Sequence, residues 1–108
     1  NIHPSLLPKF KGLNTHERAL EAGGRFTGCT IHFVRSALDE GPIILQAVLP
    51  ILPDDTPQSL AARVLQLEHK TYPTAVRMIA EGRVQIDGKC VKIKGGSFTS
   101  DPMIIPTD

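Results

Sequence analysis

At 108 residues, with 41% hydrophobic and 21% charged residues, the chain has the length and composition of one globular domain or part of one. A net charge of +1, with its basic residues scattered, gives no electrostatic case for a nucleic-acid or membrane surface. No apolar run approaches the roughly 20 residues of a membrane span. Cys29 and Cys90, without C-x-x-C spacing, argue against a zinc or redox motif and read as reduced thiols of a cytoplasmic protein.

Taken in chain order, residues 1–13 hold Pro4, Pro8 and Gly12, which predicts a loop. THERALEAGG predicts a short helix, capped by Asn14 or Thr15 and stopped at Gly23-Gly24. The acidic half of a capping box is absent, because Arg18 stands three residues after Thr15. GCTIHFV, residues 28–34, alternates as a strand, with Thr30, His32 and Val34 on one face and Cys29, Ile31 and Phe33 on the other. SALDEGP reads as a turn, too long for a tight hairpin. IILQAVLPI, residues 43–51, predicts a second strand whose nearly continuous apolar character calls for cover on both faces.

A long helix follows from Asp55 or Thr56 as cap, with Pro57 in its first turn and Leu60, Val64 and Leu67 as its apolar stripe. Pro73 should bend or break it. Ala75, Val76, Ile79 and Ala80 continue the stripe to Gly82. VQIDGKCVKI predicts a hairpin turning at Asp87-Gly88, with Lys89, Lys92 and Lys94 on its exposed face. The expected organisation is a folded part, residues 1–95, and a loose tail, residues 96–108. Two main strands with few helices make a poor core, so an upstream half of the same domain is expected.

Three residues stand out for chemistry. Asn1 and His3 are separated by one residue, so in extended chain they project to the same side. An amide and an imidazole facing one volume suit polarising a carbonyl and moving a proton at its carbon. A loop histidine bonded to backbone is the competing reading. Asp39, in the LDEGP turn, reads either as a catalytic carboxylate that holds His3 charged and binds a water, or as an Asx-turn residue bonded to its own backbone. His32 reads as a packing residue, and His16 and Glu68-His69 as surface positions on helices. No His or Cys spacing suits a metal, and no glycine-rich phosphate loop is present.

NIHPSLLPKFKGLNTHERALEAG, GCTIHFV, LDEGPIILQ and LAARVLQLEHKTYP, in this order, resemble the folate-dependent formyltransferase family over about residues 1–86. The nearest branch formylates glycinamide ribonucleotide. The resemblance implies an α/β fold, the C-terminal part of a Rossmann-like formyltransferase domain whose nucleotide-binding half lies upstream. It implies Asn1, His3 and Asp39 as the catalytic set. It implies that the loop from Val34 to Asp39, including Arg35 and Ser36, lines the folate pocket mainly with backbone, and that Glu68 bonds the nucleotide's ribose. The co-substrate implied is 10-formyltetrahydrofolate, with glycinamide ribonucleotide as acceptor and no metal, nucleic acid or membrane partner. Ser36 departs from the acidic residue usual at its position in the family. A deformylase-like hydrolase is the nearest rival, although Pro4 stands where its loop typically has a second His. A further alternative is an inactive piece that only binds folate or complements an upstream half.

Overall fold

The elements, in chain order, are β1 (Ile2–His3), α1 (Thr15–Ala22), β2 (Phe26–His32), β3 (Ile43–Pro50), α2 (Pro57–Ala80), β4 (Val84–Asp87) and β5 (Cys90–Ile93). The computed structural model describes residues 1–36 and 38–108. Ala37, part of the loop expected to line a folate pocket, lies outside them. β2 is the middle strand of a three-stranded sheet, antiparallel to β1 on one side and β3 on the other, while β4 and β5 form a separate hairpin. This is the mixed α/β arrangement read from the sequence.

α2 organises the packing. Its start is a reciprocal cap: the Thr56 hydroxyl accepts from Ser59 N (3.1 Å) and Ser59 Oγ accepts from Thr56 N (2.9 Å), with Pro57 in the first turn. Pro73 does not break the helix, which runs unbroken to Ala80. Pro73 lies on the solvent side, where a carbonyl left without its amide partner is hydrated, and the Thr71 hydroxyl donates to Leu67 O (2.8 Å) in the turn just before it. The buried stripe runs through Leu60, Val64, Ala75 and Met78. Val76 and Ile79, predicted to belong to it, are 48% and 44% exposed. Each follows a buried residue by one position, about 100° round the helix.

Leu60 and Val64 pack on Cys29, with Ile2, Ala47, Leu49 and Leu67 around them. The opposite face of β2 is covered by the loop after β1. There the Thr30 hydroxyl donates to Ser5 O (2.7 Å) and accepts from Leu7 N (3.1 Å) and Gln46 Nε2 (3.0 Å). β2 is thus buried on both faces, begins two residues earlier than predicted, and leaves Val34 outside it. β3 reverses the expectation. It is an outer strand whose alternate residues Ala47 and Leu49 face α2, while Gln46 and Val48 are exposed. Apolar composition overstated its cover, because burial follows a strand's place in the sheet. The first residues also depart from a pure loop: Ile2 and His3 pair with Ile31 and Thr30.

α1 keeps its predicted span and stops at Gly23, whose φ of 72° suits a residue without Cβ. Asn14 stands at its cap position, but at φ 57° its side chain makes no capping bond. That bond needs extended backbone. The hairpin turns at Gly88-Lys89, one residue later than predicted, with Asp87 paired to Cys90. Among the described residues nothing after Ile93 is helix or strand, and no helix is long and apolar enough to cross a membrane.

Leu60→Ala should cost about 2–5 kcal/mol of stability in chemical denaturation, since the residue is fully buried. Gly28→Ala should destabilise as well, by on the order of 1–3 kcal/mol, because its Cβ would lie 1.8 Å from Ala47 O.

Candidate active site

The loop joining β1 to α1 returns its residues to the end of β1, and backbone groups there fix His3. His3 Nε2 lies 2.8 Å from Phe10 O. A carbonyl only accepts, so Nε2 carries a hydrogen. Nδ1 lies 3.5 Å from Asp39 Oδ2, an ion-pair distance rather than a hydrogen bond. The same oxygen accepts from Gly12 N at 2.9 Å. The side chains of His3 and Asp39 are only 8% and 7% exposed. Asp39 is therefore not satisfying its own turn: its carboxylate reaches 27 residues back.

This knot bends the backbone into an unusual state. Phe10, Asn14 and Asp39 have φ of 54°, 57° and 51°, and Gly12 has φ of 83°. Left-handed non-glycine residues concentrated about one ion pair mark a place where geometry is held against local preference. Arg18 of α1 does part of the holding. Its guanidinium donates to Lys11 O and Leu13 O and lies 5.5 Å over the Phe10 ring. Lys11 and Glu40 join the two loops at 2.6 Å, though this exposed pair adds little energy.

Asn1 is exposed, and its backbone pairs with His32. It lines a cavity of about 470 Å³ with Ile2, Leu65, Glu68, His69, Tyr72 and Pro73. Glu68 is more than a surface residue: burial pushes its carboxyl up from the ordinary value, opposed by the nearby charges of His69 and His3. Asp39, Arg35 and Ser36 line a different groove, of about 940 Å³, with Gln46, Lys89 and Cys90. Val34 is 72% exposed. Arg35 and Ser36 are exposed as well, and Arg35 donates to Gly88 O at 3.3 Å. The structure thus joins His3 to Asp39 and places Asn1 with Glu68 along one cavity and Arg35, Ser36 and Asp39 along another.

His16, expected on the surface, is half-buried; burial lowers its pKa, and Nδ1 has no partner among the described residues. Sequence reasoning passed over Phe10, Gly12 and Arg18. Their signal was indirect: a proline- and glycine-rich loop has carbonyls that need donors, and an arginine at the start of the next helix supplies them. Among the described residues no group of three or more His, Cys, Asp or Glu could hold a metal.

A family model described as formyl transferase matches residues 1–76. The human trifunctional purine biosynthetic protein adenosine-3 is 51% identical over 96 residues, which is 87% of this chain and 10% of that protein. The structure of glycinamide ribonucleotide transformylase 1 from Symbiobacterium toebii superposes with a TM-score of 0.85 at 54% identity, over 87% of this chain and 44% of that one. A formyltetrahydrofolate deformylase from Pseudomonas syringae gives a TM-score of 0.83 at 30% identity, over 87% of this chain and 32% of that one. The chain spans less than half the length of each of these relatives. With the family model covering more than half of its residues, the chain belongs to the formyl transferase family.

Proposed function

We propose that the chain is the catalytic, folate-binding half of a phosphoribosylglycinamide formyltransferase, which moves a formyl group from 10-formyltetrahydrofolate to the amine of glycinamide ribonucleotide in purine biosynthesis. The observation that carries this reading is the buried His3–Asp39 pair, fixed by Phe10 O and Gly12 N. The structure named as a glycinamide ribonucleotide transformylase is 54% identical and the deformylase 30%, which supports the transferase over the hydrolase.

The amine attacks the formyl carbon, and the carbonyl oxygen becomes negative. The Asn1 amide and the His3 imidazolium stabilise that oxygen. The bond from the formyl carbon to the folate nitrogen then breaks, and the proton lost by the amine passes to that nitrogen. His3 Nδ1, the ring nitrogen not spent on Phe10, gives its hydrogen to that nitrogen and regains one from the amine through a water held by Asp39. The loop of Val34, Arg35, Ser36 and Asp39 receives the folate, and Glu68 accepts from the ribose hydroxyls. An upstream half of the kind the relatives carry supplies the rest of the site. Two features support this. Among the described residues the outer edge of β1 is unpaired, and Leu65, Tyr72, Val76 and Ile79, between 43% and 49% exposed, form an apolar stripe along α2. The two free cysteines suit a cytoplasmic protein.

The test is folate release by the chain completed with an upstream half, with and without glycinamide ribonucleotide. Release that needs the acceptor, and falls at least about 100-fold in Asp39→Asn, is expected. Release without it would point to the hydrolase, and no release from a folded complex would sink both. For Glu68, raised by burial, the ionised acceptor is lost as pH falls through its elevated pKa. KM for the nucleotide should therefore rise toward acid, and Glu68→Gln should give a high KM that no longer varies over that range.

A further inference from the structure

His32 has no part in the step above, yet it is 2% exposed and its Nε2 is buried without a partner among the described residues. The other ring nitrogen decides the tautomer. Nδ1 lies 2.8 Å from Phe33 O, which can only accept, so Nδ1 carries the hydrogen and Nε2 of the neutral ring presents a lone pair. That carbonyl is itself fixed. Phe33 N donates to Pro42 O at 2.9 Å, and a Cβ on Gly41 would lie 1.3 Å from Phe33 O. The glycine of LDEGP thus lets bare backbone pack against the group that orients His32.

The sheet register says what stands beside this lone pair. His32 N donates to Asn1 O, and Asn1 N donates to His32 O, each at 2.9 Å. Residues in such an antiparallel pair project to the same face. His3 opposite Thr30, two positions along, lies on that face too. The irregularity between Ile31 and His32 puts its extra residue, Ile44, on β3, so alternation along β2 is undisturbed. Asn1, His3, Thr30 and His32 therefore share one face, with the Asn1 carboxamide exposed at its end and free to turn toward His32.

We infer that His32 is a positioning residue for Asn1. Its Nε2 accepts one N–H of the Asn1 carboxamide, leaving the second N–H directed at the oxygen that becomes negative on the formyl carbon. A lone pair accepts only from the nitrogen end of an amide. His32 thereby selects the amide orientation that donates to the oxyanion over the flipped one that would turn an oxygen toward it. This rests on the formyl-transfer reading and goes beyond it.

The test is a double-mutant cycle in the completed enzyme. Asn1→Ala should lower kcat by about 10²–10³-fold. His32→Leu should lower it by on the order of 10²-fold with little change in either KM. The double variant should be no slower than Asn1→Ala, and His32→Gln, which returns an acceptor oxygen, should recover most of the loss. Effects that multiply in the double variant, or a His32→Gln as slow as His32→Leu, would overturn the proposal. Nitrogen-15 spectra of the His32 ring, read without turnover, keep it separate from the reaction and from any failure of His32→Leu to fold. A Nδ1-protonated ring whose Nε2 resonance moves in Asn1→Ala supports the positioning even if the wild type transfers no formyl group. A ring indifferent to Asn1→Ala refutes it even if formyl transfer is found.

Discussion

One carboxylate oxygen, Asp39 Oδ2, ties together the two loops that make the candidate site. It accepts from Gly12 N in the loop after β1 and faces His3 Nδ1 at the end of β1, while belonging to the turn between β2 and β3. Each loop alone would be free to spread. Joined there, they hold His3 between two acceptors and keep Phe10, Asn14 and Asp39 in left-handed backbone. An unpartnered carboxylate this little exposed would be costly, so the amide and the imidazole are needed as much as they are positioned.

β2 makes the arrangement rigid. One face is packed on Leu60 and Val64 of α2, and the other is bonded through Thr30 to the backbone of Ser5 and Leu7. Its last residue, His32, carries the backbone pair with Asn1, and the strand before it pairs Thr30 with His3. Asn1 and His3 are therefore placed by a strand buried on both sides. Their neighbour α2 runs past with Glu68 on the side of the cavity that Asn1 lines. This is how a short chain presents an amide, an imidazole and two carboxylates around one sheet edge: the sheet fixes two, and the loop and helix bring the others.

Much of this was legible in the sequence. Thr56 and Pro57 announced the start of α2, Gly23 the end of α1, and the alternation of Thr30, Ile31 and His32 the strand. Local chemistry decides such features: a hydroxyl that can cap, a ring that fixes φ, a residue without Cβ. The same local reading did not foresee that α2 runs through Pro73 without a break, nor that β3, whose apolar residues reveal nothing about which face is covered, is half exposed.

The sequence by itself determined the candidates for chemistry, an amide, an imidazole and a carboxylate, because side-chain types and their order along the chain are read from it directly. Patterns repeating every two or 3.6 residues also marked its strands and helices, and the resemblance to the formyltransferases implied the α/β fold class. Only the tertiary structure decided that Asp39 reaches Gly12 and His3, that Arg18 pins the loop between them, and that His32 pairs with Asn1. These contacts join residues far apart in the chain, and no local pattern encodes them. They form when β2, buried from both sides, brings β1 and the two loops to the same end of the sheet.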